Sequence, residues 1–150
     1  MSDVFRLQPL VDLSQSRNEV ATRQLGQLNQ QQQAEQKKLD TLLQFRKDYQ
    51  EKYAQASQDG MDQARINNFQ NFLNRLEEAV RQQRGVTEQA NQSFQQGQVK
   101  VQETRRSMKS FETLAQRFAE TLKQQQNHVE QKVQDEQSGR FAARQAPPEE

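Results

Sequence analysis

The sequence predicts an all-α protein: two long helices in an antiparallel coiled-coil hairpin, with the second helix overhanging the first. Three observations carry this. Only 31% of the 150 residues are hydrophobic, 27% are charged and the mean hydropathy is −1.21, whereas an ordinary globular domain is roughly half apolar. That leaves disorder, or long helices that bury only a narrow seam. Five glycines and three prolines exclude turn-rich β architectures, which need frequent turn signals. The apolar residues also recur in two long, unbroken heptad phases, which decides for helix over disorder.

The first phase sets Val4 at position a. The a and d positions are then Val4, Leu7, Val11, Ser14, Asn18, Ala21, Leu25, Leu28, Gln32, Glu35, Leu39, Leu42, Arg46, Tyr49, Tyr53 and Ala56. Eleven of these sixteen are apolar, about twice what the overall composition would place there. Pro9 suits the first turn of a helix, where a missing N–H costs nothing, so helix one is expected at about 9–57.

The turn follows at 58–61, in the interior cluster Ser57-Gln58-Asp59-Gly60-Met61-Asp62. Gly60 takes the left-handed conformation that ends a helix, and Asp62 caps the next one. Helix two is expected at about 62–137. Its a positions run Ile66, Leu73, Val80, Thr87, Phe94, Val101, Met108, Ala115, Leu122 and Val129, with only Thr87 polar. Its d positions are weaker and include Gln83, Gly97, Thr104, Gln125 and Lys132. Ser138-Gly139 and Pro147-Pro148 mark a stop and a flexible tail over 138–150. The whole chain reads as one elongated domain.

An antiparallel register can be read from the two seams, because a positions must then meet d positions. Facing residue numbers that sum to about 122 satisfy this. Tyr53 meets Phe69, Tyr49 meets Leu73, Leu42 meets Val80 and Leu28 meets Phe94. Polar positions coincide as well, with Asn18 opposite Thr104 and Glu35 opposite Thr87. Arg46 falls opposite Leu76 and is expected to turn its head outward. In this register helix two overhangs beyond about residue 113 by roughly 36 Å. Phe111, Leu114, Phe118, Leu122, Val129 and Val133 form an apolar stripe there, and an unpaired stripe implies another molecule or self-association.

Composition excludes several functions. There is no cysteine and a single histidine, His128, so thiolate chemistry and histidine metal clusters are absent. No apolar run approaches a membrane span, and the first residues lack a signal-peptide layout. A net charge of +1 exerts no strong pull on nucleic acid. Coiled coils offer no concave pocket for catalysis. Neither enzyme activity nor a cofactor is expected, and a cytoplasmic location follows.

One flank near the turn stands out. Lys38, Leu42, Phe45 and Tyr49 on helix one, and Phe72, Leu76, Ala79 and Gln83 on helix two, alternate between g and d positions. Phe45, Phe72, Ala79 and Val86 thicken this flank, while the opposite e flank is polar apart from Leu43. The extra aromatics either shield the seam from water or dock a partner, as aromatic anchors do.

The stretches Leu42-Leu43-Gln44-Phe45-Arg46-Lys47-Asp48-Tyr49 and Ile66-Asn67-Asn68-Phe69-Gln70-Asn71-Phe72-Leu73, with Leu76-Glu77 following, resemble the FliJ family of flagellar type III export proteins. The length, the placement of the turn and the run Gln131 to Arg144 are similar too. The resemblance implies an antiparallel two-helix stalk at the centre of the hexameric flagellar export ATPase, promoting its assembly and ATP hydrolysis. It also implies binding to the cytoplasmic domain of the export-gate membrane protein and to export chaperones, at the inner-membrane face of the export apparatus. Gate-binding positions carried over are Leu42, Phe45, Tyr49, Phe72, Leu76, Ala79 and Gln83. Lys38 and Gln83 depart from the Gln and His of the family patch. The start of helix one and the overhang, with Phe111, Leu114, Phe118 and Leu122, correspond to the part inside the ring. Two alternatives stay open: the equivalent stalk of a virulence injectisome, and a homodimeric scaffold or tether joined through the overhang.

Overall fold

The structure, a computed structural model, describes residues 2–145, with side chains from residue 6 onward. It contains two helices, α1 (Ser2–Asp59) and α2 (Gln63–Gln145), and no strand among the described residues. The all-α expectation holds. Val4 as a seam side chain and the Pro147-Pro148 end of the expected tail lie outside the described residues.

Contacts divide the chain into two compact units. Unit 2 comprises residues 18–103 and is a helical hairpin. Its turn is built as the sequence requires. Gly60 has φ 88°, a left-handed value that strains any residue with a Cβ, and its N–H donates to the Ser57 carbonyl at 3.4 Å. Asp62 then caps α2. Its Oδ1 accepts from the Arg65 N–H at 3.0 Å and its carbonyl from the Ile66 N–H at 3.1 Å, satisfying donors that a helix start leaves open.

The heptad phase is visible in burial. In unit 2 every a and d position of α1 from Asn18 to Ala56 is buried or half-buried, and so is every one of α2 from Ile66 to Val101. The expected register also holds. Tyr53 packs on Phe69 with ring centroids 5.5 Å apart, and the Thr87 hydroxyl donates to the Glu35 carbonyl at 3.2 Å. Arg46 does turn outward, and its Nη1 lies 3.4 Å from the Glu77 carboxylate. Gly97, a weak d position in the sequence, has a steric role. A Cβ there would sit 2.7 Å from Leu28 Cδ1 and 3.3 Å from Leu25 Cδ1, so the two leucines occupy the space its missing side chain leaves.

Unit 1 comprises residues 1–17 and 104–150. Val11 and Ser14 are buried on its α1 segment. Ser14 is tolerated because its hydroxyl donates to the Val11 carbonyl at 2.8 Å. Gln15 Nε2 donates to Glu112 Oε1 at 3.1 Å across the two helices. On α2 the half-buried a and d positions continue through Thr104, Met108, Phe111, Ala115 and Leu122, and every residue from 123 to 145 is exposed.

Both outer helix limits differ from the expected ones. α1 begins at Ser2, which places Pro9 inside the helix. Proline removes one ladder hydrogen bond, yet half-buried Leu7 and buried Val11 on either side of it keep the segment in the seam. α2 passes through Ser138-Gly139 to Gln145. A single glycine costs about 1 kcal/mol in a helix, which helix-forming neighbours absorb. On α2 the half-buried a and d positions extend to Leu122, beyond the expected limit near 113.

Candidate partner-binding surfaces

Near the turn of unit 2 the seam positions of the two helices carry aromatic rings. Tyr49, a d residue of α1, lies between two residues of α2, with centroid distances of 5.1 Å to Phe69 and 4.3 Å to Phe72. With the Tyr53–Phe69 pair, this makes a continuous run of four rings drawn alternately from both helices. Such pairs are each worth about 1 kcal/mol beyond the area they bury. Phe72 nevertheless remains 44% exposed and Phe45 58% exposed. Each is therefore half shield and half open apolar surface.

Beside them lies a shallow groove of about 410 Å³ lined by Lys37, Lys38, Thr41, Leu42 and Gln83. One wall is fixed by a polar clasp across the helices. Gln83 Nε2 donates to Glu35 Oε2 at 2.7 Å and to the Glu35 carbonyl at 3.1 Å. The bond from Gln83 holds the Glu35 carboxyl below its ordinary value of 4.5; partial burial opposes this, and the Lys38 ammonium reinforces it from 3.4 Å.

The seven residues expected on this flank thus fall into groups. Tyr49 and Phe72 are in contact, and Leu42 and Gln83 share one groove. Phe45 and Phe72 are exposed, whereas Ala79 is half-buried. Leu76 is only 9% exposed and belongs to the seam. Gln83 has its amide committed to Glu35, which limits what it can offer outward. Thr41 and Lys37, which heptad reasoning passed over, line the groove. The clasp was half legible: Glu35 and Thr87 are polar residues at facing seam positions, but the reach of Gln83 back to Glu35 needs coordinates to be seen.

In unit 1, Phe111 and Leu122 are half-buried in continuation of the seam. Leu114 and Phe118 are 43% and 37% exposed, and Val129, Val133 and Phe141 are more open still. A second groove, of about 460 Å³, lies on the outer face of α2 between Arg106, Lys109, Ser110, Thr113, Leu114 and Arg117. The apolar heptad pattern did not draw attention to it, because it is made mostly of polar residues at outward positions.

No cluster of His, Cys, Asp or Glu able to hold a metal ion occurs among the described residues, and no helix there is long and apolar enough to cross a membrane. His128 and the pairs Glu77-Glu78 and Asp135-Glu136 are exposed on helix surfaces. Among the described residues the two surfaces present exposed apolar side chains beside charged ones. The family model described as "Flagellar FliJ protein" matches residues 2–147. No curated protein and no solved structure gave a match.

Proposed function

The chain belongs to the FliJ family, non-catalytic coiled-coil components of flagellar protein export, and from that premise we propose that it is the stalk of the export ATPase ring. In this reading it enters the hexamer through the unit 1 surface, with Phe111, Leu114, Phe118 and Leu122, and promotes ring assembly and ATP hydrolysis. The unit 2 flank docks the cytoplasmic domain of the export-gate protein through Leu42, Phe45, Tyr49 and Phe72, with Leu76, Ala79 and Gln83 supporting that surface from the seam. Export chaperones are a third partner, and the site of action is the cytoplasmic face of the inner membrane.

The observation that carries the reading is the exposed apolar surface of unit 1. Leu114, Phe118, Val129 and Val133 lie along a helix whose residues are all exposed beyond Leu122, and open apolar surface of this kind marks an interaction site. The open Phe45 and Phe72 support a separate contact for the gate. A stalk also needs asymmetry: one two-helix chain among six equivalent subunits favours whichever subunit it touches.

Two binding assays test this. Phe45→Ala with Phe72→Ala should weaken binding to the gate domain and leave ATPase binding intact. Leu114→Ala with Phe118→Ala should do the reverse. Equal loss of both partners in either variant would contradict two independent surfaces. The same exposed stripe supports a second reading, a homodimeric tether. Sedimentation separates them, since the stalk is a 17.6 kDa monomer when free.

A further inference from the structure

Inside unit 2 both helices weaken at the same level. Residues 24–34 of α1 and 89–99 of α2 contain no charged residue, and eleven of these twenty-two are glutamine. The register that sets Tyr53 against Phe69 and Glu35 against Thr87 lays the two stretches side by side as one band. Gly26 and Gly97 share one height in it, because a Cβ on Gly97 would meet Leu25 and Leu28, the residues that bracket Gly26. Glycine is the poorest helix former after proline. With one in each helix at the same height, both backbones yield most easily there.

The seam layers of the band are thin. There are three: Leu25 with Gly97, Leu28 with Phe94, and Gln32 with Ala90. Leu25, Leu28 and Phe94 are only half-buried, and the one buried side chain is that of Ala90, which removes little apolar area from water. Better-buried layers stand on either side. Ala21 and Val101 are buried toward the open end, and Thr87, Leu39 and Val80 are buried toward the turn.

Cross-links follow the same division. The ring pairs, the Arg46–Glu77 contact and the bonds from Gln83 and Thr87 to Glu35 all lie between the band and the turn. Among the described residues, no hydrogen bond, ion pair or ring pair joins the two helices inside the band.

We propose that the band is a joint: residues 24–34 and 89–99 open together as one cooperative unit, while the layers on both sides stay paired. Local opening of this kind belongs to segments with few buried apolar contacts and exposed backbone hydrogen bonds. It lets the turn end, with Phe45 and Phe72, change direction relative to the Ala21–Val101 layer without losing its register. The inference goes beyond the stalk reading and does not depend on it, since the free chain alone tests it.

The test is residue-resolved amide hydrogen exchange on the full chain, under conditions where the rate reports the opening equilibrium. The amides of Leu28, Gln32 and Phe94 should exchange at least about tenfold faster than those of Ala21 and Val101 on one side and of Leu39 and Val80 on the other. Protection that falls steadily from the turn to the open end would be simple fraying and would overturn the joint. Gly26→Ala, whose Cβ meets nothing within 4 Å, should slow exchange in the band about fivefold, and on both helices. Slowing confined to α1 would overturn the joint opening of the two stretches. Val80→Ala should speed exchange at Leu39 and Leu76 by about tenfold or more and leave the band at its wild-type rate. A band that accelerates in step with Leu39 and Leu76 opens only when the whole hairpin unfolds, and the proposal fails.

Discussion

Near its turn, unit 2 is held by three kinds of contact between α1 and α2: the four-ring run from Tyr53 to Phe72, the Arg46–Glu77 ion pair and the Glu35–Gln83–Thr87 clasp. Farther from the turn the same heptad phase continues through residues 24–34 and 89–99, which contain no charged residue on either helix. Those segments are rich in glutamine and asparagine and include Gly26 and Gly97. Leu25 and Leu28 close on Gly97, Phe94 is half-buried at an a position, and the remaining seam positions are small or polar residues such as Ala90 and Gln32. One seam pattern therefore supports two qualities of pairing. Ring pairs and polar cross-links fix register near the turn, whereas the glutamine section depends on packing of Leu25, Leu28 and Phe94 and on helix propensity.

The largest expected effect probes what the two sections share. Val80 is 2% exposed, and Val80→Asp buries an unpaired charge in the seam, which should cost about 4 kcal/mol in urea unfolding. Val99, on the outer face of the glutamine section, is 52% exposed. Val99→Asp should change stability by less than about 0.5 kcal/mol. A comparable loss at both sites would contradict the seam assignment.

Gly60→Ala forces a Cβ into the left-handed region at φ 88° and should cost about 1–2 kcal/mol. The thermal midpoint reads this directly, and an unchanged midpoint would mean that the turn has another conformation available. In the glutamine section the two glycines should separate. A Cβ on Gly26 meets nothing within 4 Å, so Gly26→Ala should stabilise by about 1 kcal/mol through helix propensity. Gly97→Ala must displace the tip of Leu28, which should cancel most of the same gain of about 1 kcal/mol. Equal gains at both positions would show that the leucines do not depend on the gap at Gly97.

The smallest effect is electrostatic. Glu35 is held below its ordinary value of 4.5, first by the bond from Gln83. A depressed carboxyl pKa gives stability that is fully present above the unfolded value and is lost as pH falls through the folded one. The urea midpoint should therefore decline below about pH 4.5 more steeply in wild type than in Glu35→Gln. Parallel profiles would remove the clasp from the list of contacts near the turn.

The seam was legible because burial of a narrow stripe is the only way so polar a chain can order itself. Each described a and d position as far as Leu122 carries that signature in its exposure, except Phe118, which at 37% is already open. The turn was legible for the same kind of reason, since only Gly60 meets the φ requirement and only Asp62 offers a cap. The outer limits were not. Pro9 and Gly139 are local breakers, and a long helix with neighbours in register can absorb each at modest cost. The candidate flank was legible as far as Phe45, Phe72 and Tyr49, which are large apolar residues at g and d positions. What escaped were contacts between long polar side chains. The reach of Gln83 to Glu35 depends on rotamers and on which polar groups find partners. Periodicity does not encode either.

The stalk reading rests most directly on ATP hydrolysis by the cognate export ATPase, measured at steady state with increasing amounts of this protein. The expected result is a rate that rises and saturates, with the stimulation lost in Leu114→Ala with Phe118→Ala and kept in Phe45→Ala with Phe72→Ala. A hydrolysis rate unmoved at every ratio would contradict it and leave the homodimeric tether as the better description.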